Sequence, residues 1–172
     1  MTLNSLIHRL RPLYEQLPLS IKVQFRKLRA LLLKEIDSDR FLRKVSGVIH
    51  IGANTGQERD IYSGYNLRVL WIEPIPEIFA QLEENITGFT NQLALQCLVT
   101  DQDEKEYPFH IANNDGASSS ILDLKLHRDI WPEIDYVESI VLKSKTLPTL
   151  LREREMDYRR YVALIMDTQG SE

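Results

Sequence analysis

Apolar and polar positions follow two different rhythms along this chain of 172 residues, and the change falls near Val45. Before it, residues 3–17 and 19–36 carry helical spacing, broken near Pro18. In the second stretch Phe25, Leu28, Leu32 and Ile36 recur at intervals of three and four, which predicts one apolar helix face. After Val45 the apolar residues gather into short runs. "VSGVIHIG" and "RVLWIEP" read as strands, each closed by a glycine or proline, and "ALQCLVTD" as a third. Between them lie "GQERDIYSGY", a short helix ending at Gly64, and "PEIFAQLEENI", a helix with Ile78, Phe79, Leu82 and Ile86 on one face and Pro76 near its start. Nearly continuous hydrophobic strands separated by helices predict a parallel sheet covered on both faces.

The texture then changes. "EYPFHIAN" and "VESIVLKSKTL" read as an inserted, antiparallel strand pair around the polar loop "NDGASSS" and the mixed stretch "ILDLKLHRDIWPEI". "LPTLLREREMD" reads as a helix and "YVALIMDTQGSE" as a last buried strand. The expected fold class is α/β: a Rossmann-like sheet, mostly parallel, with an inserted pair. A doubly wound domain normally continues past its fourth parallel strand, so the chain is expected to be cut short there. The expected organisation is a basic helical extension over 1–44 and a cofactor domain over 45–172.

Composition narrows the function class. At 43% hydrophobic and 27% charged the chain is ordinary globular protein. Its single cysteine, Cys97, permits no internal disulfide and no cysteine metal cage, and it reads as a small core residue. No metal site is read from the sequence. No apolar run reaches the roughly 18 residues of a membrane span, and no signal peptide opens the chain, so a cytoplasmic protein is expected. The net charge of −4 is uneven: residues 1–45 carry 10 of the 21 Lys+Arg but 4 of the 25 Asp+Glu. The acidic remainder argues against nucleic acid as a partner. The basic helix around Lys22, Arg26, Lys27, Arg29 and Lys34 has the make-up of a membrane-surface segment. With no aromatic cluster to mark a lipid face, packing on its own domain or on a second subunit is the preferred reading.

The candidate chemistry begins at "VIHIGANTGQE". A strand, the turn Gly52-Ala53-Asn54-Thr55-Gly56 and a helix beginning near Gln57 form the βα turn of a nucleotide-binding half-domain. Gly52 permits a sharp exit from the strand. Asn54 tolerates a left-handed backbone, and Gly56 lets the helix start close to strand and ligand. Glu73 ends the second strand, 21 residues after Gly52, where a carboxylate can accept ribose hydroxyls. Asp101 follows the third run, although it also reads as a turn aspartate before "QDEKE". Asp167 follows the last run. Three acids at strand ends would line the edge where open α/β sheets bind ligands.

Taken together, "VIHIGANTGQE", "WIEP", "LVTD", "NNDGASSSIL", "LKSKTLPTLL" and "LIMDTQGSE" resemble the FkbM-type S-adenosylmethionine-dependent methyltransferases, from about Val45 to the last residue. The resemblance implies a class I methyltransferase fold with S-adenosylmethionine as cofactor. By the same resemblance Gly52, Ala53, Asn54 and Gly56 approach its methionine and ribose parts, Glu73 holds the ribose and Asp101 sits by the adenine. Asn114, Gly116 and Ser118 to Ser120 fall on a polar loop near cofactor and acceptor, with Ser119 among the cofactor contacts. Asp167 and Gln169 fall on the fourth-strand motif. His50 departs from the pattern, standing where an acid often meets the methionine end; a histidine there can still donate a hydrogen bond.

Methyl transfer to a hydroxyl requires alignment of donor and acceptor and a base for the proton. Asp167 is the first candidate base and His127, in "LKLHRDIWP", the second. The resemblance implies O-methylation of a sugar or secondary metabolite, with a small molecule or glycan as acceptor and a homo-oligomer compatible with it. Two rivals stand beside this reading. One is an NAD-type oxidoreductase, which fits the glycine turn and Glu73 but lacks G-x-G-x-x-G spacing. The other is a non-catalytic interaction module.

Overall fold

The structure, a computed structural model, describes residues 40–124 and 131–169. The helices expected over 3–17 and 19–36, and His127, lie outside the described residues.

Two central strands organise the domain. β1 (Gly47–Ile51) is buried along its whole length, and β2 (Arg68–Glu73) everywhere except Arg68. Burial on both sheet faces explains their unbroken apolar character. They run parallel, Val48 opposite Val69 and Ile51 opposite Ile72. β3 (Gln92–Gln96) pairs parallel with β2 on one side. The final strand, β7 (Ala163–Met166), pairs parallel with β1 on the other, giving the order β3-β2-β1-β7.

Alternation of side chains sorts the core into two layers. Val48, Val69 and Trp71 pack with Tyr62 of α1 (Arg59–Gly64) and with Leu82 and Ile86 of α2 (Pro76–Ile86). Ile49, Ile51, Leu70 and Ile72 face the other way, onto Leu150 and Leu151 of α3 (Leu147–Glu153). Pro76 opens α2 in the first turn, where its missing N–H has no helical partner to lose. Thr146 caps α3 by accepting the Thr149 N–H.

Three expectations are corrected. The third apolar run does not form one strand. β3 ends at Gln96, Cys97 breaks it, and β4 (Leu98–Val99) leaves the first sheet to pair parallel with β6 (Tyr136–Lys145). The expected inserted pair, β5 (Glu106–Ala112) and β6, is antiparallel, and with β4 it makes a second sheet ordered β4-β6-β5. A third apolar cluster of Ile75, Ile78, Leu98 and Phe109 welds this sheet to the start of α2. Next, α1 starts at Arg59 rather than near Gln57, because 57 and 58 belong to the turn. Finally, β7 is not buried on both faces. Ala163 and Ile165 pack on the core, while Leu164 and Met166 are 50% and 46% exposed. Among the described strands β7 has only β1 as neighbour.

Candidate functional site

The carboxyl ends of β1, β2 and β7 meet at one cleft. Its walls include His50, Gly52, Ala53, Asn54, Glu58 and Glu73, with Cys97, Val99 and Phe109 beyond them and Asp167 and Gln169 at the β7 side. The cleft has a cavity volume of about 120 Å³, smaller than the roughly 300–1,000 Å³ of drug-sized ligand sites.

The glycine turn is built by close approach. Gly52 has φ +76°, and a Cβ there would lie 2.0 Å from the Asp167 carbonyl oxygen. Only a residue without a side chain lets β1 and β7 meet at their tips. The Gly52 and Ala53 N–H groups both donate to the Ile72 carbonyl, at 3.0 and 3.1 Å. Asn54 does adopt the left-handed backbone, with φ 46°. Its Oδ1 accepts from the Thr55 N–H and from Gln57 Nε2, and its Nδ2 donates to the Asp115 carbonyl at 3.1 Å. The turn is thereby tied to the loop that follows β5. That loop comes close because Gly116, at φ +72°, leaves room for Ile78, which a Cβ would approach to 2.2 Å.

Glu73 is the hinge of the site. It is 4% exposed, with Oε2 accepting the Asn54 N–H at 2.8 Å and Oε1 the Ile75 N–H at 3.0 Å. The carboxylate therefore braces the turn against the start of α2. Burial pushes its pKa up to about 7, against the opposing pull of the two backbone bonds. His50 is 6% exposed, stacked on Trp71 with ring centroids 5.1 Å apart, and its Nδ1 lies 3.1 Å from the Tyr62 hydroxyl. Burial drives its pKa down to about 4, so the ring is neutral at pH 7. Asp167 is exposed; its N–H donates to the Ile51 carbonyl, and its Oδ1 accepts from Gln169 Nε2 at 2.8 Å.

The predicted residues thus divide. His50, Gly52, Ala53, Asn54, Glu73, Ser119 and Asp167 come together on the cleft. Gly56 does not, because its open face is filled by Leu82 of α2 rather than by ligand space. Asp101 also stands off the cleft. It is exposed in a bend after β4, and Leu98 and Val99 take the wall instead. Ser119 is buried and its Oγ accepts the Ala112 N–H at 3.0 Å. Sequence reading missed Glu58, whose place on the cleft depends on where α1 begins. It also missed the cleft position of Cys97, which is partly buried and packs against the second core layer.

Charge is the most telling property. Among the described residues the cleft is lined by three carboxyl side chains, Glu58, Glu73 and Asp167, and by no lysine or arginine. Among the described residues, too, no group of three or more His, Cys, Asp or Glu could hold a metal ion, and no helix is long and apolar enough to cross a membrane.

The two buried titratable groups make a testable pair. Glu73 binds its proton more tightly folded than at its ordinary 4.5, so its contribution to stability is full below that value and is lost as pH rises to about 7. His50 does the reverse: its contribution grows from about 4 to its ordinary 6.5. The slopes oppose, and the wild-type unfolding free energy is expected to change little between pH 5 and 6.5. His50→Phe is expected to expose the Glu73 slope, with stability falling by roughly 3 kcal/mol between pH 4.5 and 7. Urea unfolding at stepped pH reads this directly, and a His50→Phe profile that rises with pH would refute it.

A glycine turn after the first parallel strand, an acid at the tip of the second and a cleft along the carboxyl edge define a Rossmann-like α/β domain. Its family model is that of the methyltransferase FkbM domain, which matches residues 50–172. The chain belongs to that family, and its class is methyltransferase. No curated protein matches the chain.

Proposed function

We propose that the protein is an S-adenosylmethionine-dependent O-methyltransferase acting on a hydroxyl of a sugar or secondary metabolite, with residues 45–172 as the cofactor domain and 1–44 as a basic extension. The observation that carries the cofactor reading is the charge of the cleft. A dinucleotide brings a pyrophosphate, which a wall whose described residues carry three carboxyl groups and no lysine or arginine repels. A sulfonium cation is attracted by the same wall. The residues present fit the group. The tight turn from Gly52 to Asn54 lines the cleft at the strand tips. Glu73 keeps lone pairs for ribose hydroxyls beyond the two N–H groups it accepts. Ile75, Leu98, Val99 and Phe109 offer apolar surface for an adenine.

When bound, the cofactor supplies a methyl group on a good leaving group, so the protein's task is alignment and proton removal. Asp167 is the base in this reading. Gln169 engages Oδ1 and orients the carboxylate, which leaves Oδ2 to take the acceptor's proton. The test is equilibrium binding of S-adenosylmethionine and NAD to the full chain. The first is expected to bind and the second to show no saturable binding. Preference for NAD would overturn the reading.

A further inference from the structure

The parallel strands all begin at the edge of the sheet opposite the cleft, and that edge carries the opposite charge. Arg43 and Lys44 lead into β1 and Arg68 opens β2, all three exposed. Tyr158, Arg159 and Arg160 form the short turn that leads into β7. The backbone draws these segments together. The Arg68 N–H donates to the Ser46 carbonyl at 3.2 Å, and the Val162 N–H to the Gly47 carbonyl at 3.0 Å. A Cβ on Gly47 would lie 2.2 Å from the Arg160 carbonyl oxygen and 3.1 Å from that of Arg68. Burial raises the Tyr161 hydroxyl pKa, while the Arg68 and Arg160 guanidinium groups both pull it down, so two cations stand near one ring.

The edge is basic by count. Segments 42–47, 64–68 and 87–92 hold Arg43, Lys44 and Arg68 and no acid. The connector 153–162 is balanced, with Glu153, Glu155 and Asp157 against Arg154, Arg159 and Arg160. Two of those acids are already engaged, Glu153 by Lys145 and Asp157 by Arg160. β1 has five residues, so this edge and the cleft lie about 17 Å apart. That is about two Debye lengths at physiological salt. A partner at the amino edge is therefore screened from the carboxyl groups of the cleft.

Apolar side chains stand among the cations. Tyr158 is 61% and Val162 60% exposed, and the Arg159 guanidinium carbon lies 5.9 Å from the Tyr158 ring centroid. A nucleic-acid duplex offers such a surface charge but no place for an exposed valine. An anionic bilayer offers charge at its headgroups and apolar volume beneath them.

We propose that the amino edge of the sheet docks on an anionic lipid surface, with Arg43, Lys44, Arg68 and Arg159 at the headgroups and Tyr158 and Val162 entering the interface. The acidic cleft, at the other edge, then faces water. The proposal stands whichever cofactor the cleft holds.

The test is cosedimentation of the full chain with vesicles of phosphatidylcholine, with and without phosphatidylserine. Binding is expected only with phosphatidylserine and is expected to weaken as salt rises. The triple variant Arg43→Glu, Lys44→Glu, Arg68→Glu, checked by circular dichroism to be folded, is expected to bind at least about tenfold more weakly. Tyr158→Trp is expected to report a blue-shifted emission on the charged vesicles. Equal binding to both vesicle types overturns the proposal. So does a triple variant that binds within about twofold of wild type while Lys22→Glu, Lys27→Glu, Lys34→Glu abolishes binding, because the lipid contact then belongs to the amino-terminal segment. Tighter binding to duplex DNA than to the vesicles at the same salt overturns it as well.

Discussion

Glu73→Ala is expected to lower stability by roughly 2–5 kcal/mol at pH 5 and to weaken adenosyl-ligand binding at least about tenfold. The carboxylate, itself 4% exposed, receives the Asn54 and Ile75 N–H groups. Alanine leaves both donors without an acceptor, and each buried orphan costs about 1–3 kcal/mol. The pH dependence separates this from a generic cavity. Burial raises the Glu73 pKa to about 7, so its contribution is greatest below its ordinary value and fades toward neutrality. The gap between wild type and variant should therefore be wider at pH 5 than at pH 8. Glu73→Gln keeps one acceptor and most of the volume, and it should lose less stability than the alanine variant. Urea midpoints at the two pH values check the order; a gap that widens toward pH 8 would refute the assignment.

Gly52→Ala carries the second large effect. Its Cβ would sit 2.0 Å from the Asp167 carbonyl oxygen and 2.8 Å from the carbonyl carbon, both backbone atoms that cannot swing aside. The residue is also held at φ +76°, which strains any L side chain. Relief requires prying β7 from β1, which breaks the bond from the Asp167 N–H to the Ile51 carbonyl. A loss above about 3 kcal/mol is expected, with Asp167 displaced from the cleft. Gly64→Ala is the control. Nothing lies within 4 Å of a Cβ there, and at the end of α1 alanine should be neutral or stabilising by up to about 1 kcal/mol. Equal losses for the two variants, measured by urea unfolding, would contradict the close-approach argument.

What could be read from the chain and what could not follow the range of the forces involved. β1, β2 and the turn between Gly52 and Gly56 were legible because apolar runs and glycine placement are local signals. Glu73 was legible as a strand-end acid. That both its oxygens serve the backbone was not, since Asn54 and Ile75 reach it only through the fold. The break at Cys97 was invisible because "LALQCLVTD" stays apolar throughout, and it is pairing with distant β6 that turns Leu98 and Val99 into a second sheet. Asp101 was drawn toward the site by that same continuous run and leaves it for the same reason. Gly56 looked like a ligand contact until Leu82, from the next helix, filled its space. His50 read as a departure from a pattern; its pairing with Tyr62, twelve residues away on α1, exists only once the helix is docked.

The most direct test of the central claim, that a bare turn braced by Glu73 forms an acid-lined seat for an adenosyl sulfonium donor, is calorimetric titration of S-adenosylhomocysteine into the full folded chain. A single site of micromolar affinity, on the order of −8 kcal/mol, is predicted. The absence of any binding heat from protein shown to be folded would contradict it.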